Sequence, residues 1–351
     1  MTNASEKRML HYDLLRILAA FSVVMLHSAS QFWYTLPVTD SDWLIMNSYD
    51  SLVRFGVPVF VMISGALFLS DHNKTDIKRL YTHNILRLLI IYIVWSCLYG
   101  LFDCRTFDFS GAGTSAVLKE MLYGRYHLWY LPMLIGIYML LPILRVWVNN
   151  AGKRNLQYFL LLFFLLKICR ETALALFTTS EATYVLNIIT PELACSYVGY
   201  FVLGYYLSEY GVDAKYHKLI YLSVIPAALC NSYLGNRLSL YKGKPLAAIY
   251  DSFSLFTFVI VVALFLFFES RVSKHSFGRK TGRVIREISA DTLGVYVMHI
   301  GLQELLMPYG IHSMTIPVIV GVPLFSLFCF VSCVLLAAVL RRIPVIGRYL
   351  C

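Results

Sequence analysis

Three side chains in the first apolar run are out of keeping with it: Asp13, Arg16 and His27, in Asp13-Leu-Leu-Arg16-Ile-Leu-Ala-Ala-Phe-Ser-Val-Val-Met-Leu-His27. A carboxylate, a guanidinium and an imidazole are costly in hydrocarbon, and where they occur they face a polar interior or a partner. Arg16 and His27 are eleven residues apart, which at roughly 100° and 1.5 Å per residue places them on one helix face about 16 Å apart. Imidazole titrates near neutral pH and suits general-base work, and a guanidinium holds phosphate through paired donors. His127 and His299 read as the other histidines in or bordering an apolar run, with Tyr296 three residues from His299 and on its face. A cation at one end of a helix and a base deeper in suit a long anionic donor. Its phosphates would meet Arg16, Arg87 and the basic residues near them, and its reactive end would reach His27.

The elements that must position these groups are membrane helices. Of 351 residues, 58% are hydrophobic and 14% charged, and apolar runs recur from Leu14 to Leu340 with short polar interruptions. No water-exposed fold accommodates that pattern. The reading is an all-α, polytopic membrane protein forming one domain over residues 1–351. Ten spans are expected, near 14–34, 51–69, 85–103, 128–148, 156–177, 190–208, 218–235, 247–268, 289–308 and 316–340. The net charge of +10 does not mark a nucleic-acid binder, because the basic residues lie between spans. With Lys7 and Arg8 inside, eighteen lysines and arginines fall on the cytoplasmic side against seven on the other, which puts both termini in the cytoplasm of a cell membrane. The hydrophilic N-terminus precedes a long span without a small-residue cleavage site and reads as a retained helix. The eight cysteines form no C-x-x-C pair and read as packing residues, with no metal site or disulfide framework.

Along the chain, Thr35 to Asp50 is acidic and reads as an outer loop, followed by Arg54-Phe-Gly56-Val-Pro58 and Gly65 in an apolar helix. Proline and glycine there predict a kink and a close helix crossing, and Arg54 calls for a polar cavity or a carboxylate partner. Lys78, Arg79 and Arg87 are either positive-inside anchors or an anion-binding mouth. His127 and Trp129 begin the fourth span, among aromatics expected at an interface. Arg170 and Glu171 read as a solvated pair, the tyrosines 197, 200, 205 and 206 as core packing, Ser270 to Arg286 as a solvated charge run, and Ser289 with Asp291 as a helix cap. No Gly-x-Ser-x-Gly, H-E-x-x-H or P-loop pattern occurs, and no matched broken halves mark an inverted-repeat transporter.

Four motifs in order, Arg16-x10-His27, R-x-G-V-P-x-F-x-x-I-S-G from Arg54 to Gly65, His127-Leu-Trp129-Tyr130, and Ser289-x-x-Thr292-L-G-x-Tyr296-x-x-His299, resemble the membrane acyltransferase-3 family over nearly the whole chain. The resemblance implies a ten-span protein of the bacterial cytoplasmic membrane. Such proteins move an acyl group, usually acetyl from acetyl-CoA, onto a hydroxyl of an envelope glycan or similar acceptor at the outer face. It implies His27 and Arg16 as the essential pair; the geometry of the first helix adds Asp13 as the group that would orient Arg16. The donor phosphates would be held by Arg16, Arg87, Arg79 and Lys78, and the acceptor pocket shaped by Arg54, His127, Trp129, Tyr296 and His299. No metal is called for. One departure is plain: many members carry R-x-x-R at the start of the third span, and here Asn84 stands before Arg87, with Arg79 and His83 nearby. A homo-oligomer is compatible with all of this. The alternative is a membrane carrier or binder of a small solute such as an amino acid, using the same cavity without chemistry.

Overall fold

The computed structural model describes residues 3–70, 76–103, 115, 122–176, 196–343 and 347, mostly helical with no strand among them. Lys74, Pro191, Glu192, Arg348 and most of the segment between Asp103 and Leu122 lie outside the described residues. Six stretches are long and apolar enough to cross a membrane: Leu10–Ala29, Ser41–Phe68, Ile77–Phe102, Tyr126–Leu176, Ala248–Lys274 and Val318–Leu340.

The first helix, α1 (Asn3–Ala29), is the centre of the bundle, with Leu15, Ala19 and Val24 fully buried. Around it pack α2 (Ser41–Val53) and α3 (Gly56–Phe68), and, from the far end of the chain, α11 (Arg279–Leu306) and α12 (Val318–Leu340). Between these in sequence come α4 (Leu86–Asp103), entered through a π-helical turn over Leu80–Ile85, and α5 (Tyr130–Phe163). Then follow α6 (Arg170–Leu176), α7 (Tyr197–Tyr210), α8 (Ala214–Leu222), α9 (Val224–Lys242) and α10 (Leu255–Ser270).

The stretch Tyr126–Leu176 has 51 residues, about 77 Å of helix against roughly 30 Å of hydrocarbon. Gly152, at φ 66° and ψ 163°, divides it; that conformation is open to glycine almost alone. The division falls between the expected spans at 128–148 and 156–177. The remaining expected spans, near 190–208, 218–235 and 289–308, fall on α7, on α8 with α9, and on α11, none of which is apolar or long enough to stand among the six.

Two boundaries differ from expectation for identifiable reasons. The acidic segment before Asp50 is not a loop: α2 begins at Ser41, where Asp40 accepts a hydrogen bond from the backbone N–H of Asp42 at 2.8 Å. The expected kink is a break between α2 and α3, because Pro58 offers no N–H to the carbonyl of Arg54 and its ring crowds it. Likewise Ser289 and Asp291 do not cap a helix. Helix α11 starts ten residues earlier, at Arg279, in a charged segment that an apolar pattern does not register and that is helix where a solvated loop was expected. Ser289 instead donates to Asp13 at 2.8 Å, and Asp291 meets Arg341 at 3.1 Å.

The α3–α7 crossing is as close as the glycines allow. A Cβ on Gly65 would lie 1.8 Å from the carbonyl oxygen of Phe201, and one on Gly204 would lie 2.0 Å from that of Met62. The tyrosine cluster behind this crossing is core: Tyr200 is fully buried and donates to the carbonyl of Ser252 at 2.6 Å.

Candidate functional site

Three imidazoles from three separate helical elements meet at one end of α1. His27 comes from the last turn of α1, His127 from the short 3-10 turn before α5, and His299 from α11 about two turns before its C-terminal end. Their ring centroids are 5.1 Å apart for His27 and His299, 5.3 Å for His127 and His299, and 6.3 Å for His27 and His127. His127 and His299 are buried, and His27 opens onto a cavity of about 690 Å³. Backbone carbonyls orient the two buried rings: His299 Nδ1 lies 2.7 Å from the carbonyl oxygen of Tyr296, and His127 Nε2 lies 3.5 Å from that of Val297. Tyr296 donates its hydroxyl to the carbonyl of His127 and so ties α11 to the turn that carries it.

The wall of this cavity facing His27 is aromatic and ionic, with Trp33, Tyr34, Tyr126, Arg54 and Glu304 among its residues. Arg54 has the carboxylate partner its position required: its guanidinium donates to the buried Asp50, one turn back, at 2.5 Å, and lies over the Tyr250 ring at 5.4 Å. Glu304 is held by Arg125. Behind the wall Asn47, fully buried, accepts from Trp33 Nε1 at 3.0 Å and from the Tyr250 hydroxyl at 2.5 Å, and donates to Asn236 at 2.7 Å. One amide thus fixes both an aromatic wall residue and the ring under Arg54.

A second cavity, of about 520 Å³, is lined by Arg79, Thr82, His83, Asn84 and Arg87, with Tyr138 from α5 and Leu293 from α11. It lies towards the opposite end of the bundle, since α11 contributes Leu293 here and Ile300, Gln303 and Glu304 at the His27 cavity, at least about 10 Å further along the helix. Between the two levels stand Tyr130 and Tyr296, ring centroids 5.5 Å apart, with Phe60 at 6.0 Å from Tyr130. The π-helical turn places Arg79, His83 and Asn84 on the same wall as Arg87, where a regular helix would spread them over more of its surface.

The predicted site residues therefore divide. Asp13 and Arg16 meet at 3.4 Å, with Ser289 orienting the carboxylate from α11, and Arg16 lies within electrostatic range of Tyr138 of the arginine-lined cavity. His27, His127, His299 and Arg54 gather at the other end. Three predicted residues stand apart. Lys78 is exposed and, unlike its neighbour Arg79, does not line the cavity. Trp129 packs against Tyr197 at 5.6 Å and lines neither cavity. Tyr296 is buried behind the imidazoles and bonds backbone. A fourth membrane-level histidine was missed: His11, buried in α1, meets Glu269 of α10 at 3.1 Å, far along the helix from His27. Trp33, Tyr126, Glu304 and Asn47 were also missed, and no local motif marks them. Arg170 and Glu171 do pair, at 2.5 Å, joined by Lys167, and are half-buried where a solvated pair was expected.

Fold and cavities define the class: a helical membrane protein with imidazoles clustered at one end of its central helix and arginines at the other. The family model described as an acyltransferase domain, acyltransferase-3, matches residues 10–342, and the chain belongs to that family. It is a membrane acyltransferase. No curated protein and no solved structure matches it.

Proposed function

We propose that the protein carries acetyl from cytoplasmic acetyl-CoA to a hydroxyl of a cell-envelope glycan at the outer face of the bacterial cytoplasmic membrane, crossing it ten times with both termini inside. The observation that carries this reading is the pairing of two cavities along α1, an arginine-lined one towards Arg16 and an imidazole-lined one at His27. Arg79 and Arg87, with His83 in place of a second arginine, hold donor phosphates through charge-assisted hydrogen bonds, and Arg16, backed by Asp13, adds positive charge further in. The pantetheine arm extends towards His27, and the acceptor enters the cavity walled by Trp33, Tyr34, Arg54 and Tyr126.

His27 takes the proton of the acceptor hydroxyl as its oxygen attacks the thioester carbonyl. The carbon–sulfur bond breaks, the acyl group stays on the acceptor oxygen, and the proton passes from His27 to the departing thiolate, leaving ester and free thiol. Equilibrium binding of labelled acetyl-CoA to detergent-purified protein, wild type beside Arg16→Ala with unlabelled CoA as competitor, tests the donor. Saturable, competed binding that weakens in the variant is expected. Folded wild-type protein that binds no donor at high micromolar concentration refutes the reading and favours a solute carrier, which flux into proteoliposomes without acetyl-CoA would then reveal.

A further inference from the structure

The buried ring of His299 has one nitrogen committed and one bare. Its Nδ1 lies 2.7 Å from the carbonyl oxygen of Tyr296 and 3.2 Å from that of Val295. Carbonyl oxygens only accept, so Nδ1 carries the proton, and the neutral ring presents a lone pair at Nε2. That nitrogen is buried and meets no donor among the described residues. A buried acceptor without a donor is uncommon and calls for an explanation.

Apart from His27, the described rings in contact with His299 have no donor to spare. The Tyr296 hydroxyl serves the carbonyl of His127, and the Tyr99 hydroxyl serves that of Val297 at 2.8 Å. The ring N–H of His127 is directed at the same Val297 oxygen, which leaves its Nδ1, also buried and bare among the described residues, without a proton to offer and 6.3 Å from His27 by ring centroid. His27 remains. Its side chain makes no hydrogen bond to any described residue, and of the three imidazole pairs the His27–His299 pair has the closest centroids, at 5.1 Å. A nitrogen-to-nitrogen hydrogen bond of about 3 Å between two five-membered rings gives a separation of that size, so rotation of the His27 ring about its own bond completes it. Glu304, the carboxylate on the cavity wall, is engaged through Oε1 by Arg125.

We propose that His299 is the positioning residue for His27, its bare Nε2 accepting the His27 N–H and so presenting the other His27 nitrogen to the cavity as the base. This rests on the reading of His27 as the base. The arrangement has the logic of a catalytic triad, in which a third group fixes the tautomer of the base, but with a neutral imidazole where a carboxylate is usual.

The test is the rate at which diethyl pyrocarbonate, which acylates the unprotonated imidazole nitrogen, modifies His27 in the full-length, detergent-purified protein, followed by peptide mass mapping at one pH. Wild type is compared with His299→Gln, whose side-chain oxygen can accept near the Nε2 position, and with His299→Leu, which cannot. The leucine variant should slow His27 modification at least about tenfold, well short of the ~10⁴ lost when a charged orienting partner is neutralised in a serine protease, and the glutamine variant should recover most of the rate. Equal rates in wild type and a leucine variant that elutes as folded protein overturn the proposal, as does a glutamine variant as slow as leucine. The readout needs neither donor nor acceptor. Failure of acetyl-CoA binding with His299 dependence intact overturns the donor assignment and leaves the pair standing.

Discussion

Removing Asp50 strands a charge. Asp50 is 1% exposed and Arg54 21%, and the two share a 2.5 Å hydrogen bond on α2 and the break that follows it. Breaking a buried ion pair from one side costs about 3–5 kcal/mol, since the surviving ion stays desolvated. Arg54 borders a cavity and can draw in water, which sets Asp50→Asn near the lower end, about 3 kcal/mol. With an unfolding entropy of roughly 2 cal/mol/K per residue over 351 residues, that is a fall in Tm of about 4 °C. Arg54→Gln alone strands the carboxylate and should cost a similar amount. The double variant Asp50→Asn with Arg54→Gln leaves no buried charge and should recover about 2 kcal/mol of the summed losses as a coupling energy. Thermal unfolding of the four proteins in one mild detergent, followed by a thiol-reactive fluorophore, measures the cycle. Additive losses, or an Asp50→Asn Tm within about 1 °C of wild type, would refute a load carried by this pair.

Further outcomes follow from other regions of the molecule. His27→Ala should lower acyl transfer by about 10²–10⁴ at unchanged protein level, read as alkali-labile label in the envelope fraction of cells fed labelled acetate. Arg79→Ala and Arg87→Ala should each weaken acetyl-CoA binding about tenfold, the size of a charge-assisted hydrogen bond, whereas Lys78→Ala should leave it within about twofold; equal effects at all three would discount the cavity wall. Gly65→Ala and Gly204→Ala push a methyl into backbone oxygens 1.8 and 2.0 Å away and should cost about 3 kcal/mol or more. Gly136→Ala, with nothing within 4 Å, is the control and should be silent in the same thermal assay.

What the sequence discloses here depends on where a helix faces. Helices that present apolar side chains to lipid, such as α10 and α12, announce themselves, and Arg16, Arg54 and His27 stand out because each violates its surroundings. Helices that line the interior read weakly. In α9, Asn231 and Asn236 bond α2 and α10 across the bundle, and those polar groups dilute the apolar signal on which a span is recognised. The start of α11 was misplaced for a related reason, since Arg279 to Arg286 continue the helix in charged residues. The meeting of His27, His127 and His299 is a product of long-range packing, so spacing along one segment could mark each histidine but not their convergence. Nor could it distinguish Trp129, spent on Tyr197, from Trp33, which Asn47 turns to the cavity.

The tyrosine layer between the cavities has an electrical consequence. A wet path from one end of α1 to the other would let protons run down the membrane potential, which does about 2.3 kcal/mol of work per elementary charge for each 100 mV. Tyr130 and Tyr296, both buried and 5.5 Å apart, with Phe60 against them, interrupt that path with ring surface and without any fixed charge. On the proposed reading, an arm as slender as pantetheine would slide between the rings one methylene at a time, filling the gap it opens, and the layer that admitted it would also serve as an insulator for the cell that houses it.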